Sequence, residues 1–445
     1  SILLGPDGPS LGGFVCPVTT AKGEMWKLGQ LHPGDKVHFR LLDLDQAKEI
    51  REAEEANLRH EYQEVVLPEQ KDLDYHYAIL AEETAAGTKI VARLDGEDNI
   101  LVEYGEMELD IAIRFRVHVL MQELKKKDLP VIDLTPGIRS LQIHFDIEKI
   151  SLKEMLAAVL ETNRTLPELS DVTVPSRIIW LPLSWDDPQT QLAAKRYQQT
   201  VRPNAPWCPS NPEFIRRING LDSIEDVKKI VFDADYLVLG LGDVYLGAPV
   251  ATPVDPRHRM VTTKYNPARP WTPENAVGIG GAYLCVYGME GPGGYQFVGR
   301  TIQMWNPLKE TEYFKHGKPW LLDFFDQIRF YPVSAEEILK DREDFLRGRF
   351  KIKIEETSFN LGKYQEFLKE HEDTIRVFKD HQEASFEAER KMWKEKGLDE
   401  FDSETQDAPA IVEETVPDGC EAARTNIPGS VWKVLVEDGQ KVREG

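Results

Sequence analysis

The chain has 445 residues, with 41% apolar and 29% charged, and a net charge of -22. That length holds two to four domains, and the composition is that of an ordinary soluble globular protein. The negative charge argues against nucleic acid and anionic membrane surfaces as partners, and no segment approaches the roughly 20 apolar residues of a membrane helix.

Four cysteines (Cys16, Cys208, Cys285, Cys420) lie far apart without Cys-x-x-Cys spacing, which excludes a zinc ribbon and argues against a disulfide scaffold. A reducing, cytoplasmic compartment is expected. No signal peptide pattern is seen at Ser1, and an opening in mid-pattern without Met leads us to expect a piece excised from a longer chain.

Residues 1 to about 45 are rich in Gly and Pro and end in a strand-like stretch, Asp35–Leu41, after a turn at Gly34-Asp35. The charged segment 46–63 is expected to be an exposed helix or linker. Residues 89–94 and 99–104 read as strands joined at Asp95-Gly96. A helix near 110–126 and an alternating strand over 139–146 follow. Ser151 and Glu154 form a capping box for a helix carrying Leu152, Met155, Leu156, Val159 and Leu160. This part is α+β.

From about Ile178 to Tyr331 the pattern is of short strands broken by Gly and Pro, which favours a closed β-barrel over a parallel sheet. Two helices interrupt it, one opened by Ser210 with Glu213 and closed by Gly220, the other opened near Asp222 or Ser223. Beyond Ser334 the chain reads as helical. Leu361, Tyr364, Leu368, Ile375, Phe378, Phe386 and Trp393 mark one long amphipathic helix. Residues 402–418 hold six acidic and no basic side chains, an extended solvated linker. Asn426–Gly445 then alternates as a strand between turns at Pro428-Gly429 and Asp438-Gly439.

The chemistry-bearing residues concentrate between Leu239 and Arg300. Asp255 sits among Arg257, His258 and Arg259. Glycines at 278, 280 and 281 allow backbone N–H groups to approach a planar ligand or a developing anion. The Gly278-x-Gly-Gly spacing matches neither a dinucleotide fingerprint nor a Walker loop. No metal-ligand cluster is visible. Each feature has a structural alternative: barrel corners for the glycines, a surface ion pair for Asp255 and Arg257, a packed ring for His258, barrel wall for Tyr283 and Tyr287.

Two stretches carry a family resemblance. Gly5–Thr19 with Trp26–Asp35 resembles the end of a KipA-type domain. Ile132–Asp146, Tyr245–Pro249 and Gly291–Thr301 resemble a KipI-type domain, and Asn426–Gly445 resembles the start of a biotinyl carrier domain. KipA then KipI, a helical segment and a biotinyl domain is similar to the carboxyltransferase region of the urea carboxylase family, as are Trp207–Gly220 and Lys264–Asn275. The resemblance implies an α+β, β-rich fold with these parts: a KipA-type end at 1–60, an α+β subdomain at 61–175, a cyclophilin-like barrel at 176–335, a helix and acidic linker at 336–418, and a truncated biotinyl domain at 419–445.

It also implies transfer of a carboxyl group from carboxybiotin to urea, giving allophanate. The cofactor is biotin on a lysine downstream of this chain. ATP and bicarbonate are used by a separate biotin carboxylase domain, and an allophanate hydrolase is a further partner. Under that reading Asp255, Arg257, His258 and Asn275 are catalytic. Tyr245, Tyr265, Gly278, Gly280, Gly281, Tyr283, Tyr287 and Arg300 line the urea and biotin site. Two alternatives stay open: a 5-oxoprolinase-type component without biotin, and a non-catalytic regulator that binds a kinase.

Overall fold

The computed structural model describes residues 18–62, 64, 66, 69–85, 87–242, 246–401, 436, 440 and 441. The acidic linker and the carrier-like segment therefore lie almost wholly outside the described residues. The chain to Asp399 clusters as one compact unit.

A short helix, Met25–Leu28 (α1), precedes Leu44–Leu58 (α2). Helix α2 opens on a capping box: the Asp43 carboxylate accepts from the Gln46 N–H at 2.9 Å and the Gln46 side chain accepts from the Asp43 N–H at 3.1 Å. Asp35–Leu41, expected as a strand, pairs with nothing among the described residues. Its Val37 and Phe39 face solvent, and alternation without a neighbouring edge does not make a strand.

An antiparallel sheet follows, built from Ile79–Ala85 (β1), Thr88–Leu94 (β2), Asn99–Tyr104 (β3), Val131–Pro136 (β4) and Ser140–Phe145 (β5), in the order β1-β2-β3-β5-β4. Helices Ile111–Lys125 (α3) and Leu152–Arg164 (α4) cover one face. Helix α4 carries the expected Ser151–Glu154 capping box. Helix α3 is buried nearly all round: Val117, Leu120 and Leu124 pack on this sheet, whereas Ile111, Phe115 and Val119 join a second core with Leu237, Leu239 and Phe325.

The third part is a barrel. Its elements in chain order are Thr173–Trp185 (β6), Pro188–Thr200 (α5), Asn211–Ile218 (α6), Ile224–Asp233 (α7), Tyr236–Leu241 (β7), Pro249–Pro253 (β8), Arg269–Thr272 (β9), Ala276–Gly280 (β10), Tyr283–Val286 (β11), Gly291–Gly293 (β12), Gln296–Arg300 (β13), Gln327–Val333 (β14), Ala335–Leu346 (α8), Lys353–Asn360 (β15), Leu361–Glu370 (α9) and Glu372–Glu395 (α10). Seven strands close in the order β13-β10-β11-β8-β7-β14-β6, because β13 also pairs with β6. At that seam a Cβ on Gly299 would lie 2.3 Å from the Ser184 carbonyl oxygen, so only glycine admits the closing strand. Strand β14 runs parallel to β6; the other pairings are antiparallel. Strands β9 and β12 form a separate ribbon.

The barrel is thus the closed structure expected, with helices α6 and α7 capped by Ser210 and Ser223. Three details differ. Strand β6 has 13 residues and is not short. Helix α5 was not foreseen. The stretch after Ser334 is interrupted by β15, which adds to the free side of β6, and the expected long helix is two, α9 and α10, divided at His371.

Candidate active site

Apart from Tyr245 and Tyr265, the sequence-derived site residues fall toward two ends of the barrel. Strand β10 decides this, because Ala276 pairs with Arg300 at one end and Gly280 with Tyr283 at the other. Four residue steps of extended chain separate them by about 13 Å.

At the Gly280 end, Asp255 follows β8 and caps a 3-10 turn, Pro256–His258. Its carboxylate is gripped by Arg257, whose Nε lies 3.0 and 3.1 Å from the two oxygens and whose Nη2 lies 2.7 Å from Oδ2. Burial pushes the Asp255 carboxyl up, but the side-chain and backbone hydrogen bonds from Arg257 and its charge outweigh that and hold it below the usual range. The remaining Arg257 nitrogen donates to Thr374 Oγ1 at 3.1 Å. Arg259 donates to the Pro253 and Val254 carbonyls and to the Tyr364 hydroxyl. This stretch therefore fastens the barrel to α9 and α10. His258 shares the turn and is half-buried.

The glycines serve packing. A Cβ on Gly278 would lie 2.9 Å from Tyr295 Cβ, and one on Gly280 2.3 Å from Tyr295 Cδ1, so both form the floor under that ring. Gly281 has φ +60, and its N–H, expected to face an oxyanion, donates to the Thr262 carbonyl at 3.1 Å. Tyr283 is half-buried; burial raises its phenol, opposed by the nearby Arg259 charge. Tyr265 lies apart, buried in an aromatic cluster with Tyr197 and Trp207, its hydroxyl bonded to Asn211. Tyr245 lies outside the described residues.

The other end is the more open to chemistry. Arg300 Nε donates to the Glu274 carbonyl at 2.8 Å, while its two terminal nitrogens make no hydrogen bond among the described residues and are not fully enclosed. Arg342, on α8, donates from Nε to Asn275 Oδ1 at 2.8 Å and from Nη2 to Glu274 Oε2 at 2.5 Å. Gln303 donates to Glu274 Oε1 at 3.0 Å and to the Gly288 carbonyl at 2.7 Å. Asn275 holds φ +62, a conformation Asn tolerates, with its N–H on the Tyr287 carbonyl. Burial lowers both guanidinium groups; the Arg342 charge lowers Arg300 further, against the carboxylates of Asp187, Glu274 and Glu290.

Arg300 thus presents a free planar fork beside a second arginine, the arrangement that takes a carboxylate bidentately. The same rim supplies carboxylate and carbonyl acceptors for N–H groups. Glu274, Gln303, Arg342 and Asp187 were not singled out from the sequence. Glu274 lies beside Asn275 in the Pro-Glu-Asn run, but Arg342 is brought there only by the fold. Among the described residues no group of three or more His, Cys, Asp or Glu is placed to hold a metal ion, and no helix is long and apolar enough to cross a membrane.

A closed barrel with a guanidinium-lined end is joined to an antiparallel sheet, and the family of this chain is given by comparison. The family model described as "Carboxyltransferase domain, subdomain C and D" matches residues 90–314, and that of "subdomain A and B" matches 1–41; the chain belongs to the carboxyltransferase-domain family. It is 36% identical over its full length to urea amidolyase of Lachancea kluyveri, of which it covers 24%. The crystal structure of urea carboxylase from Kluyveromyces lactis superposes with a TM-score of 0.73 and 38% identity over 86% of this chain and 35% of that one. One of the 5-oxoprolinase subunits from Bacillus subtilis is 24% identical over 56% of the chain and 95% of that protein. The chain spans about a quarter of the length of the urea amidolyases it matches.

Proposed function

We propose that this chain performs the carboxyltransferase step of a urea carboxylase, moving a carboxyl group from carboxybiotin to urea to give allophanate. Similarity to urea amidolyase over the whole chain carries this reading. The 5-oxoprolinase reading rests on 24% identity over 56% of the chain and has less support, and nothing favours a kinase-binding regulator. The subdomain limits near 60, 175, 335 and 418 belong to the same proposal. So do the biotin carboxylase domain, with its ATP and bicarbonate, and allophanate hydrolase as partners.

Biotin, when bound, would supply the carboxyl group from its ureido nitrogen, which would also be the base for the urea proton displaced by the transfer. The free Arg300 fork and Arg342 hold the carboxylate in motion and stabilise its charge. The Glu274 carboxylate accepts from urea N–H groups through its remaining lone pairs, and Gln303 and Arg342 fix its orientation. Asn275 aims Arg342. Asp255, Arg257 and His258 remain the competing centre, with Tyr283, Tyr287 and the 278–281 glycines shaping the wall between the two ends, whereas Tyr265, enclosed in its aromatic cluster, takes no part.

The two ends are separated by assaying allophanate formation and biotin carboxylation independently in full-length enzyme. Arg300→Ala is expected to cut transfer by about 10²-fold, with carboxylation intact, and Asp255→Ala to change transfer little. The reverse pattern moves the site to Asp255. Normal transfer in both variants defeats the proposed site altogether.

A further inference from the structure

Arg114 stands on α3 where that helix passes between the first sheet and the barrel. It is 0% exposed. Its Nε donates to the Leu239 carbonyl on β7 at 2.7 Å, but both terminal nitrogens are enclosed and meet no acceptor among the described residues. One turn along, Nδ1 of His118 is also enclosed and has no partner among the described residues. The guanidinium carbon lies 5.1 Å and 5.5 Å from the ring centres of Phe324 and Phe325, and His118 lies 4.9 Å from the latter. No carboxylate faces the pair: burial alone lowers Arg114, to about 9, with no opposing anion, and Arg114 makes no ion pair among the described residues.

A buried cation without a counter-charge is costly, and a leucine or methionine would fill the same space without that cost. Two adjacent guanidinium donors with a third ring nitrogen match the two oxygens of a planar carboxylate. The wall is also unusual. Phe325 holds φ +67, uncommon for a bulky residue, and is pinned there by its N–H on the Val238 carbonyl and by Ser176 Oγ on its own carbonyl. Phe324 is only half-buried and covers the guanidinium from the outer side.

We infer that the Arg114–His118 face of α3 binds a small planar carboxylate, of the size of formate or bicarbonate, entering past the Phe324 ring. This site is distinct from the Arg300 end and does not depend on the proposed reaction. The test is thermal unfolding of the full chain in sodium formate, sodium bicarbonate and sodium chloride at equal ionic strength. Formate or bicarbonate is expected to raise Tm saturably by about 2 °C above chloride. Arg114→Met should remove the saturable part, Arg114→Lys should keep a weaker one, and Arg300→Ala should leave it. Absence of a carboxylate-specific rise in the unmodified chain overturns the inference, even where a variant folds poorly. So does a rise that survives in Arg114→Met or disappears only in Arg300→Ala.

Discussion

Tyr295 dictates glycine at 280 as firmly as any ligand would. A methyl group there meets the ring at 2.3 Å with β10 held on both sides, so Gly280→Ala is expected to cost about 1–3 kcal/mol in denaturant unfolding. Adding Tyr295→Ala should return part of that; a loss unchanged in the double variant places the clash elsewhere. Single residues also set a pH response. Burial, with the Arg114 and Lys125 charges, lowers His118 to about 4 from its ordinary 6.5. The unfolded chain therefore binds the extra proton first, and stability falls as pH drops from about 6.5 to 4, by about 3 kcal/mol. In His118→Phe that part of the slope should vanish, and an unaltered pH profile would count against the assignment. The sequence made Asn275 and Arg300 visible because they lie in one dense stretch. It could not show Arg342, whose place is set by the packing of α8, or that the glycines of β10 receive a tyrosine.

At the scale of elements, local chemistry was readable and long-range pairing was not. Ser151, Ser210 and Ser223 announce their helices because a cap is decided within three residues. Strand β15 has no such mark: Ile354 and Phe359 fall on opposite faces, and it is a strand because the edge of β6 supplies its partner. Helix α5 turns only alanines and a tyrosine inward, with a threonine, too little contrast to reveal an amphipathic face. Helix α10 is joined to the barrel by a buried polar contact. Gln382 donates to Asn219 Oδ1 at 2.8 Å and to the Arg259 carbonyl at 2.9 Å, while Asn219 donates to the Val261 carbonyl at 2.9 Å. Gln382→Ala is expected to destabilise the fold by about 1–3 kcal/mol, more than an exposed change such as Val377→Ala on the same helix. Equal effects at the two positions would show α10 to be held by its apolar face alone.

For the molecule as a whole, α3 is the joint. It contributes to the core of the sheet and to the core that includes β7 and the approach to β14, so neither part closes its interior without it. Calorimetry of the compact unit is expected to show one cooperative transition; two resolved peaks would mean that the shared core is too weak to couple the sheet to the barrel. The overall class, a sheet with helices followed by a closed barrel, followed from the change in Gly and Pro spacing near residue 178. The order of strands around the barrel did not, because adjacency there is fixed by contacts distant in sequence.

That distance matters during synthesis. Strand β6 leaves the ribosome well ahead of β14, the parallel neighbour it must meet: Ser176 and its partner carbonyl on Phe325 stand 149 residues apart. The sheet with α3 and α4 has all its pairings available by residue 164, so it is ready to fold first. The long first staple of the barrel then waits with both edges bare while the rest of the chain emerges. The N-terminal sheet is thus a finished platform on which a slow barrel is assembled, and the waiting strand is the point at which a nascent chain is most exposed to pairing with the wrong neighbour.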